Sequence, residues 1–436
     1  AETIGIRANY LTTPFWYNAA LSIIKPLYRS RIKKRADNDA QYQQECLERF
    51  GPFQPVKNLN AIWFHVVSVG ETNAAQPLIE HYLKKGHPVL VTNTTKTGQA
   101  RAKSLFLKAP YEALFQAVYL PADQKHLVRH FIEKYQPKLL ALVETELWPN
   151  LIDQAKQLQM PCLLINARLS EKSAKGYGKV PSLSRPLLQR LNQLLAQDQA
   201  TLDRFIALGA QPQASQVVGS IKFDIHAPQH AVELAAQLKI DWSLAGRKIV
   251  TIASTHAPEE QKILSALKPY LQHHPELLCI VVPRHPERFD EVFAEAQKLA
   301  LRTQRRSLGQ SILSDTQVYL ADSMGELWQW LALSQACFVG GSLNEPGGGH
   351  NILEPIALQV PTVLGKNYFN FQTIVDEFAA VQGVEVVEDA EQAAQALVEL
   401  AENPQKAQAL NAAAQQIMQK NTGSLQKHIQ VIDQYL

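Results

Sequence analysis

From residue 61 onward, short apolar runs alternate with stretches of helical length, and this alternation limits the chain to one class of fold. AIWFHVVSVG (61–70) ends in glycine, and the residues from Glu71 to about Lys85 have helical spacing. VLVTNTT (89–95), AVYLP (117–121), LLALVE (139–144) and CLLIN (162–166) follow, each trailed by a helical stretch. LLAQD (194–198) and VVGSI (217–221) close this series. Apolar runs of this length read as buried strands, and strands separated by helices form a parallel, doubly wound sheet. A second series repeats the pattern in KIVTIAST (248–255), LLCIVVP (277–283), QVYLAD (317–322), ACFVG (336–340) and PTVLG (361–365). Residues 226–246 are polar and helix-like, end in Gly246, and read as a connector. The expected organisation is α/β, with an N-terminal segment 1–36 and two Rossmann-like domains, 37–225 and 226–436. The last helices, from about residue 390, are amphipathic and rich in Ala and Gln.

At 436 residues the chain is long enough for two full cores. Its net charge of +3 is too small to point to nucleic acid. Cys46, Cys162, Cys279 and Cys337 are widely spaced, with no CxxC pair and no metal-ligand spacing. They read as thiols of a reducing compartment, three of them in strand-like runs. No HExxH, GxSxG or Walker A pattern is present, and no metal is expected. No signal peptide is visible. The chain opens on Ala1 rather than Met, so residues 1–9 read as a processed or added end.

Pro14 to Ile24 (PFWYNAALSII) is apolar and aromatic but too short to span a bilayer, which takes about 20 residues. Lys25, Arg29, Arg31, Lys33, Lys34 and Arg35 follow, with no acid among them. Residues 14–35 therefore read as an interfacial anchor on an anionic membrane surface, on the cytoplasmic side; the alternative is a core helix with a solvated basic end. Asp37-Asn38-Asp39 has the form of a metal-binding DxD but no strand precedes it, so it is assigned a structural role.

Polar clusters fall just after the expected strands, where parallel sheets bind ligands. The densest is VGGSLNEPGGGHNILEP (339–355), with Gly340, Gly341, Gly347, Gly348 and Gly349 and a helix expected from Asn351. It reads as an anion and nucleotide site, against the alternative of a glycine loop with an Asn351 to Glu354 capping box. Glu71, after Ser68-Val69-Gly70, is either a general base or an acid that only favours the helix dipole. Glu144 and Glu146 (LVETELWPN) are two apart, which in extended chain puts them on one side. Asn166, Arg168 and Ser170 (NARLS) and Lys222 (GSIKFD) end two further runs. In the second half, Arg284-His285 between two prolines makes a stiff cationic corner suited to phosphate or carboxylate, or an ordinary turn. Gly325-Glu326-Leu327 follows another strand and could offer backbone amides.

SVGET, ETELWPN, NARLS, SIKFD, PRHPERF, MGEL and GGSL…GGHNILEP occur in order along nearly the whole chain. This series resembles the 3-deoxy-D-manno-octulosonic acid (Kdo) transferases of Gram-negative lipopolysaccharide synthesis. The resemblance implies a GT-B fold, two Rossmann-like domains facing a central cleft, with a short membrane-associated N-terminal helix. It implies the donor CMP-Kdo, a lipid A precursor as acceptor, and work at the inner membrane. It places the catalytic base on Glu71, transition-state stabilisation on Glu144 and Lys222, and inversion at the anomeric carbon. Donor contacts fall on Arg284, His285, Gly325, Glu326, Leu327, Asn351, Ile352, Leu353 and Glu354. The family often has NPLEP where this chain has Ile352, Asn where it has Ser220, and Glu-Gly where it has Ala257-Pro258. Another two-Rossmann sugar transferase, a nucleotide-sugar epimerase, or a non-catalytic lipid or nucleotide binder at the membrane surface are the competing readings.

Overall fold

A computed structural model of the protein describes residues 13–36 and 39–436. Residues 1–9 and the Asp37-Asn38 part of the DxD sequence lie outside the described residues. Asp39 caps the helix Ala40–Phe50, its Oδ1 accepting from the Gln41 N–H at 2.9 Å.

The chain forms two compact units, one comprising the residues up to Asp224 with Asn421–Leu436, the other Ile225–Lys420. The strands of the first are β1 (Ile62–His65), β2 (Val89–Asn93), β3 (Phe115–Tyr119), β4 (Leu139–Val143), β5 (Cys162–Ala167), β6 (Gln193–Ala196) and β7 (Ser215–Val217). They are parallel, in the order β3-β2-β1-β4-β5-β6-β7. The second unit holds β8 (Lys248–Thr255), β9 (Leu277–Pro283), β10 (Thr303–Arg305), β11 (Val318–Leu320), β12 (Ala336–Val339), β13 (Thr362–Gly365) and β14 (Glu385–Val387). These too are parallel, in the order β10-β11-β9-β8-β12-β13-β14. Two such Rossmann-like units are what the GT-B class is built from.

Strand β1 shows why the apolar runs are continuous rather than alternating. Trp63 packs on one face of its sheet with Phe53, Phe131 and Tyr135, while Phe64 packs on the other with Ile79 and Tyr82. Helices cover both faces, so both sets of side chains are buried. The two strands absent from the sequence reading, β10 and β14, are short edge strands of polar or mixed composition. An edge strand with one neighbour buries little, so it leaves no apolar run to read.

One expected boundary differs. The helix Ser424–Asp433 was assigned with the second domain, yet it belongs to the first unit. Its Ile429 and Ile432 join the core around Ile79 and Tyr82, and the Tyr82 hydroxyl donates to Asp433 Oδ1 at 2.9 Å. At the other end of the chain, the helix Phe15–Ala36 docks through polar contacts. The Tyr17 hydroxyl donates to Asp123 Oδ2 at 2.8 Å, and Asn150 Nδ2 to Asn18 Oδ1 at 2.8 Å. Among the described residues no helix is long and apolar enough to cross a membrane.

Close approach of β8 and β12 accounts for one glycine. A Cβ on Gly340 would lie 2.6 Å from the Ser254 carbonyl oxygen and from Thr255 Cα. Both are backbone, so neither can swing away, and overpacking of this kind costs about 1–3 kcal/mol. Gly340→Ala is expected to lower the unfolding free energy, read from urea titration, by that amount, whereas Gly246→Ala, which meets nothing within 4 Å, should leave it unchanged or slightly raised.

Candidate active site

In the first unit the strand order reverses between β1 and β4, which is where an open parallel sheet binds ligands. Both strands end in carboxylates. After β1 the chain turns at Ser68, which caps the helix Val69–Lys84, and Glu71 lies in its first turn. Glu71 Oε2 accepts the Val67 N–H at 2.5 Å, while its other oxygen has no hydrogen-bond partner among the described residues. Burial pushes the Glu71 carboxyl up to about 7. The Val67 N–H opposes this, the charges of Glu144 and Glu146 add to it, and Lys222 offsets part of it. An acid that served only the helix dipole would be held ionised, so the shift counts against a purely structural role.

Glu144 is the first residue after β4 and is buried, with a left-handed φ of 65°. That conformation is uncommon for a residue with a side chain and costs about 1–3 kcal/mol. Its carboxylate is compensated by Lys222 Nζ at 2.7 Å. Glu146 stands apart from that pair: its Oε2 accepts the Trp148 indole N–H at 2.8 Å and lies 3.6 Å from His65 Nε2. His65 is itself fixed through Nδ1 to Thr92 Oγ1 at 2.9 Å.

Lys222 sits in a single 3-10 turn, Ile221–Phe223, that later residues of the chain hold in place. The Ser220 N–H donates to Asn421 Oδ1 at 2.7 Å, and the Gly423 and Leu425 N–H groups donate to Asp224 at 3.2 and 2.9 Å. Asn166, at the end of β5 with φ 47°, accepts the Ile221 N–H at 3.0 Å. The Asn166 N–H in turn donates to His428 Nε2 at 3.0 Å, and His428 Nδ1 bonds the Ser424 carbonyl at 2.7 Å. This fixes His428 as the neutral Nδ1–H tautomer. Burial drives its proton affinity down to about 4.

In the second unit, the glycine-rich stretch is arranged differently from expectation. The N–H groups of Gly341, Ser342 and Leu343 do converge on an anion, but it is the carboxylate of Glu259, at 2.8, 3.2 and 3.0 Å. Glu259 also accepts the His256 N–H at 2.9 Å and is almost fully buried. The amides of Gly340, Gly348 and Gly349 bond main-chain carbonyls of Ala253, Asn367 and Gly341. The loop's amides are therefore largely committed within the protein. The Asn351 to Glu354 capping box is not formed either: Asn351 Oδ1 accepts the Leu353 N–H at 3.0 Å, and Glu354 makes no hydrogen bond among the described residues.

Side chains gather at this place instead. His256, after β8, and His350 stack with rings 5.0 Å apart and 9° between planes, their Nε2 atoms 2.7 Å apart. His285, after β9, meets His256 edge-on at 4.9 Å. Burial, then His256, Arg284 and His285, hold His350 down at about 4. Arg284 has no carboxylate within ion-pair distance among the described residues and acts electrostatically on His350 and Glu354. Ser254, which leads into this cluster, has φ 54°.

A family profile and curated relatives place the chain in one family. A family profile described as 3-Deoxy-D-manno-octulosonic-acid transferase (kdotransferase) matches residues 44–225. The chain is 35% identical to the 3-deoxy-D-manno-octulosonic acid transferase of Haemophilus influenzae over 428 residues, 97% of this chain and 98% of that protein. It is 32% identical to the Bordetella pertussis transferase over 431 residues, 96% and 99% of the two chains. The chain belongs to the Kdo transferase family. It is thus a glycosyltransferase. A solved structure described as the C-terminal CMP-Kdo binding domain of WaaA from Acinetobacter baumannii is 60% identical, covering 44% of this chain and 100% of that domain, with a TM-score of 0.44.

Of the residues that the family pattern singles out, Glu71, Glu144 and Lys222 come together in the first unit. Arg284, His285 and Glu354 come together in the second. Glu326 does not present a free carboxylate: it is held by Arg306 at 2.9 Å, Gln329 at 2.8 Å and the Ser323 hydroxyl. Gly325 supplies a left-handed turn of φ 80° before Leu327 opens a short helix. Ile352 and Leu353 are core residues, so only their main chain is available to a ligand. Residue-by-residue reading missed Glu259, Asn421 and His428, whose partners are far away in sequence. Glu259 alone left a trace, as an acid following a strand in the manner of Glu71.

His428 has a pH signature. The unfolded imidazole titrates near 6.5 and the folded one near 4, so between these values only the unfolded chain binds the proton. Stability therefore falls as pH falls from 6.5 towards 4. Urea titrations at pH 7 and pH 5 should show the wild type losing about 2 kcal/mol more than His428→Gln over that interval. Equal losses would show that the ring does not titrate as described.

Proposed function

We propose that this Kdo transferase family member moves Kdo from CMP-Kdo to a hydroxyl of a lipid A precursor, with inversion at the anomeric carbon and Glu71 as general base. One observation carries the reading: Glu71 is a carboxylate with one oxygen uncommitted, beside a Glu144–Lys222 pair, and its proton affinity lies near neutral pH. A base with that affinity is half ionised at working pH and strong enough to accept a hydroxyl proton as bonding begins. The acceptor oxygen then attacks the anomeric carbon, the bond from that carbon to the CMP phosphate oxygen breaks, and CMP departs with the electron pair. Charge at the sugar ring becomes positive on the way, which the Glu144 carboxylate stabilises, and Lys222 at 2.7 Å holds Glu144 in place.

For the donor, the support is electrostatic. Kdo brings a carboxylate and CMP one phosphate, and Arg284 with His256, His285 and His350 supplies donors and cations without a competing acid in ion-pair contact with Arg284. Asn351 and Glu354 have the polarity to meet ribose or base. These side chains supply the charge that phosphate departure calls for, so no metal is assigned to the reaction, and transfer is expected to continue in a chelator.

The acceptor reading draws on the helix Phe15–Ala36. Phe15 is 87% and Leu27 72% exposed, Ile23 and Ile24 are exposed with them, and Lys25, Arg29, Arg31, Lys33 and Lys34 lie on the same helix. Exposed apolar side chains beside cations suit the anionic cytoplasmic face of the inner membrane, where each cation contributes about 1 kcal/mol.

Transfer is read by mass spectrometry with CMP-Kdo generated in place and tetraacylated lipid A precursor. The rate (kcat/KM) should fall on the acid side with an apparent pKa near 7, since Glu71 must be ionised to accept the proton. Glu71→Gln should lose at least about 10²-fold while still binding CMP-Kdo. Undiminished turnover by Glu71→Gln would remove the base assignment, and no Kdo transfer by folded wild type would remove the reaction. Ile23→Glu with Leu27→Glu should release the protein from anionic vesicles in a sedimentation assay, and unchanged sedimentation would refute membrane docking.

A further inference from the structure

Beneath the helix Phe15–Ala36 lies a cavity of about 290 Å³. Leu21, Ile24 and Tyr28 of that helix form one wall, and Phe50, Leu120 and Trp148 of the first unit form the others. An apolar cavity of about 150 Å³ holds a benzene molecule, so this one accommodates several methylenes of a hydrocarbon chain. Part of its polar lining is committed, while the buried Gln124 Oε1 has no hydrogen-bond partner among the described residues. Asp123 accepts the Tyr17 hydroxyl at 2.8 Å and the N–H groups of Asn150 and Leu151 at 3.1 and 2.9 Å. Arg49 bonds Glu45 at 2.9 Å and the Thr94 carbonyl, and lies over the Tyr119 ring. Lys25 lines the same cavity without an ion-pair partner among the described residues. An apolar slot with an unpaired cation at its wall suits an anionic amphiphile.

Trp148 says which amphiphile. The ring lines the cavity, while its N–H holds Glu146, whose charge raises the proton affinity of Glu71. One indole thus separates the apolar slot from the carboxylate cluster. A molecule with a chain in the slot would have its polar part on the side of that cluster.

We propose that this cavity is a subsite for one acyl chain of the acceptor, rather than for bulk membrane lipid. The inference rests on the reading that the acceptor is an acylated, phosphorylated disaccharide. The chain anchors the acceptor by hydrophobic burial, Lys25 meets its negative charge, and Trp148 sets the distance from the buried chain to Glu71. The subsite therefore governs acceptor KM rather than the chemical step.

The full-length protein is incubated, without donor, with a tetraacylated lipid A precursor that carries a diazirine in one acyl chain, then irradiated and mapped by peptide mass spectrometry. Label is expected on residues 21–28 and 120–124, and excess anionic phospholipid vesicles should not displace it. Leu21→Trp and Ala122→Phe fill the cavity from opposite walls. Each should cut that labelling at least about fivefold and raise acceptor KM about tenfold, with kcat within about twofold of wild type. Label confined to other residues, displacement by plain vesicles, or variants that lower kcat and leave KM unchanged would overturn the subsite. Because labelling needs no turnover, a protein that labels here yet transfers no Kdo would support the subsite and sink only the proposed reaction.

Discussion

Three carboxylates crowd the switch point of the first sheet, and a single lysine is set against them. Glu144 is buried in a left-handed backbone conformation, an arrangement that survives only when its surroundings over-determine it. Lys222 at 2.7 Å is the counter-charge. Removing one partner of such a pair typically costs about 3–5 kcal/mol, because the other charge is left buried and unpaired. The lysine contacts Glu144 directly, and Glu71 takes up a proton more readily because it is buried and, to a smaller extent, because Glu144 and Glu146 are near it; Lys222 offsets only part of this. The same arrangement thus pairs one carboxylate with a lysine and leaves its neighbour with a raised proton affinity, a contrast that suits the acid–base roles proposed for them.

Position matters as much as charge. Lys222 is on a turn too short to hold itself, with one residue of helix on either side. Its geometry comes from Asn421, the Gly423 and Leu425 amides on Asp224, and the His428 to Asn166 to Ile221 relay. The C-terminal helix Ser424–Asp433, which carries Leu425 and His428 and follows directly on Asn421 and Gly423, has its own apolar anchor in Ile429 and Ile432. Burial of that helix is therefore coupled to placement of the lysine, and loss of packing at the chain end would be felt at the carboxylates.

Much of this was legible in the sequence. The strands of both sheets show as apolar runs because their residues are buried on both faces, and the carboxylates, Lys222 and Arg284 show because polar residues directly after such runs are out of keeping with a simple turn. What did not show has one physical origin: partners that meet only through the fold. The five glycines of 340–349 suggested free amides for a ligand, but Gly340 is there for close strand packing and the Gly341–Leu343 amides serve Glu259, more than eighty positions earlier. At Gly325-Glu326-Leu327 the sequence points to backbone amides, and the fold adds that the Glu326 side chain is held by Arg306, twenty positions earlier. The edge strands β10 and β14 were silent because they bury too little to leave a pattern.

With Glu259 filling the glycine loop, the Gly341–Leu343 amides are taken, and the groups gathered beside them are side chains. Backbone amides offer fixed partial charges that do not depend on pH, whereas His256 and His350 can each gain a proton. Burial lowers the proton affinity of both rings, the nearby His285 and Arg284 lower it further, and only one hydrogen can lie between their Nε2 atoms. A phosphate or carboxylate beside the pair reverses the local field and raises their proton affinity. An anion bound there would therefore bring a proton with it, so the positive charge of the cluster would depend on its ligand.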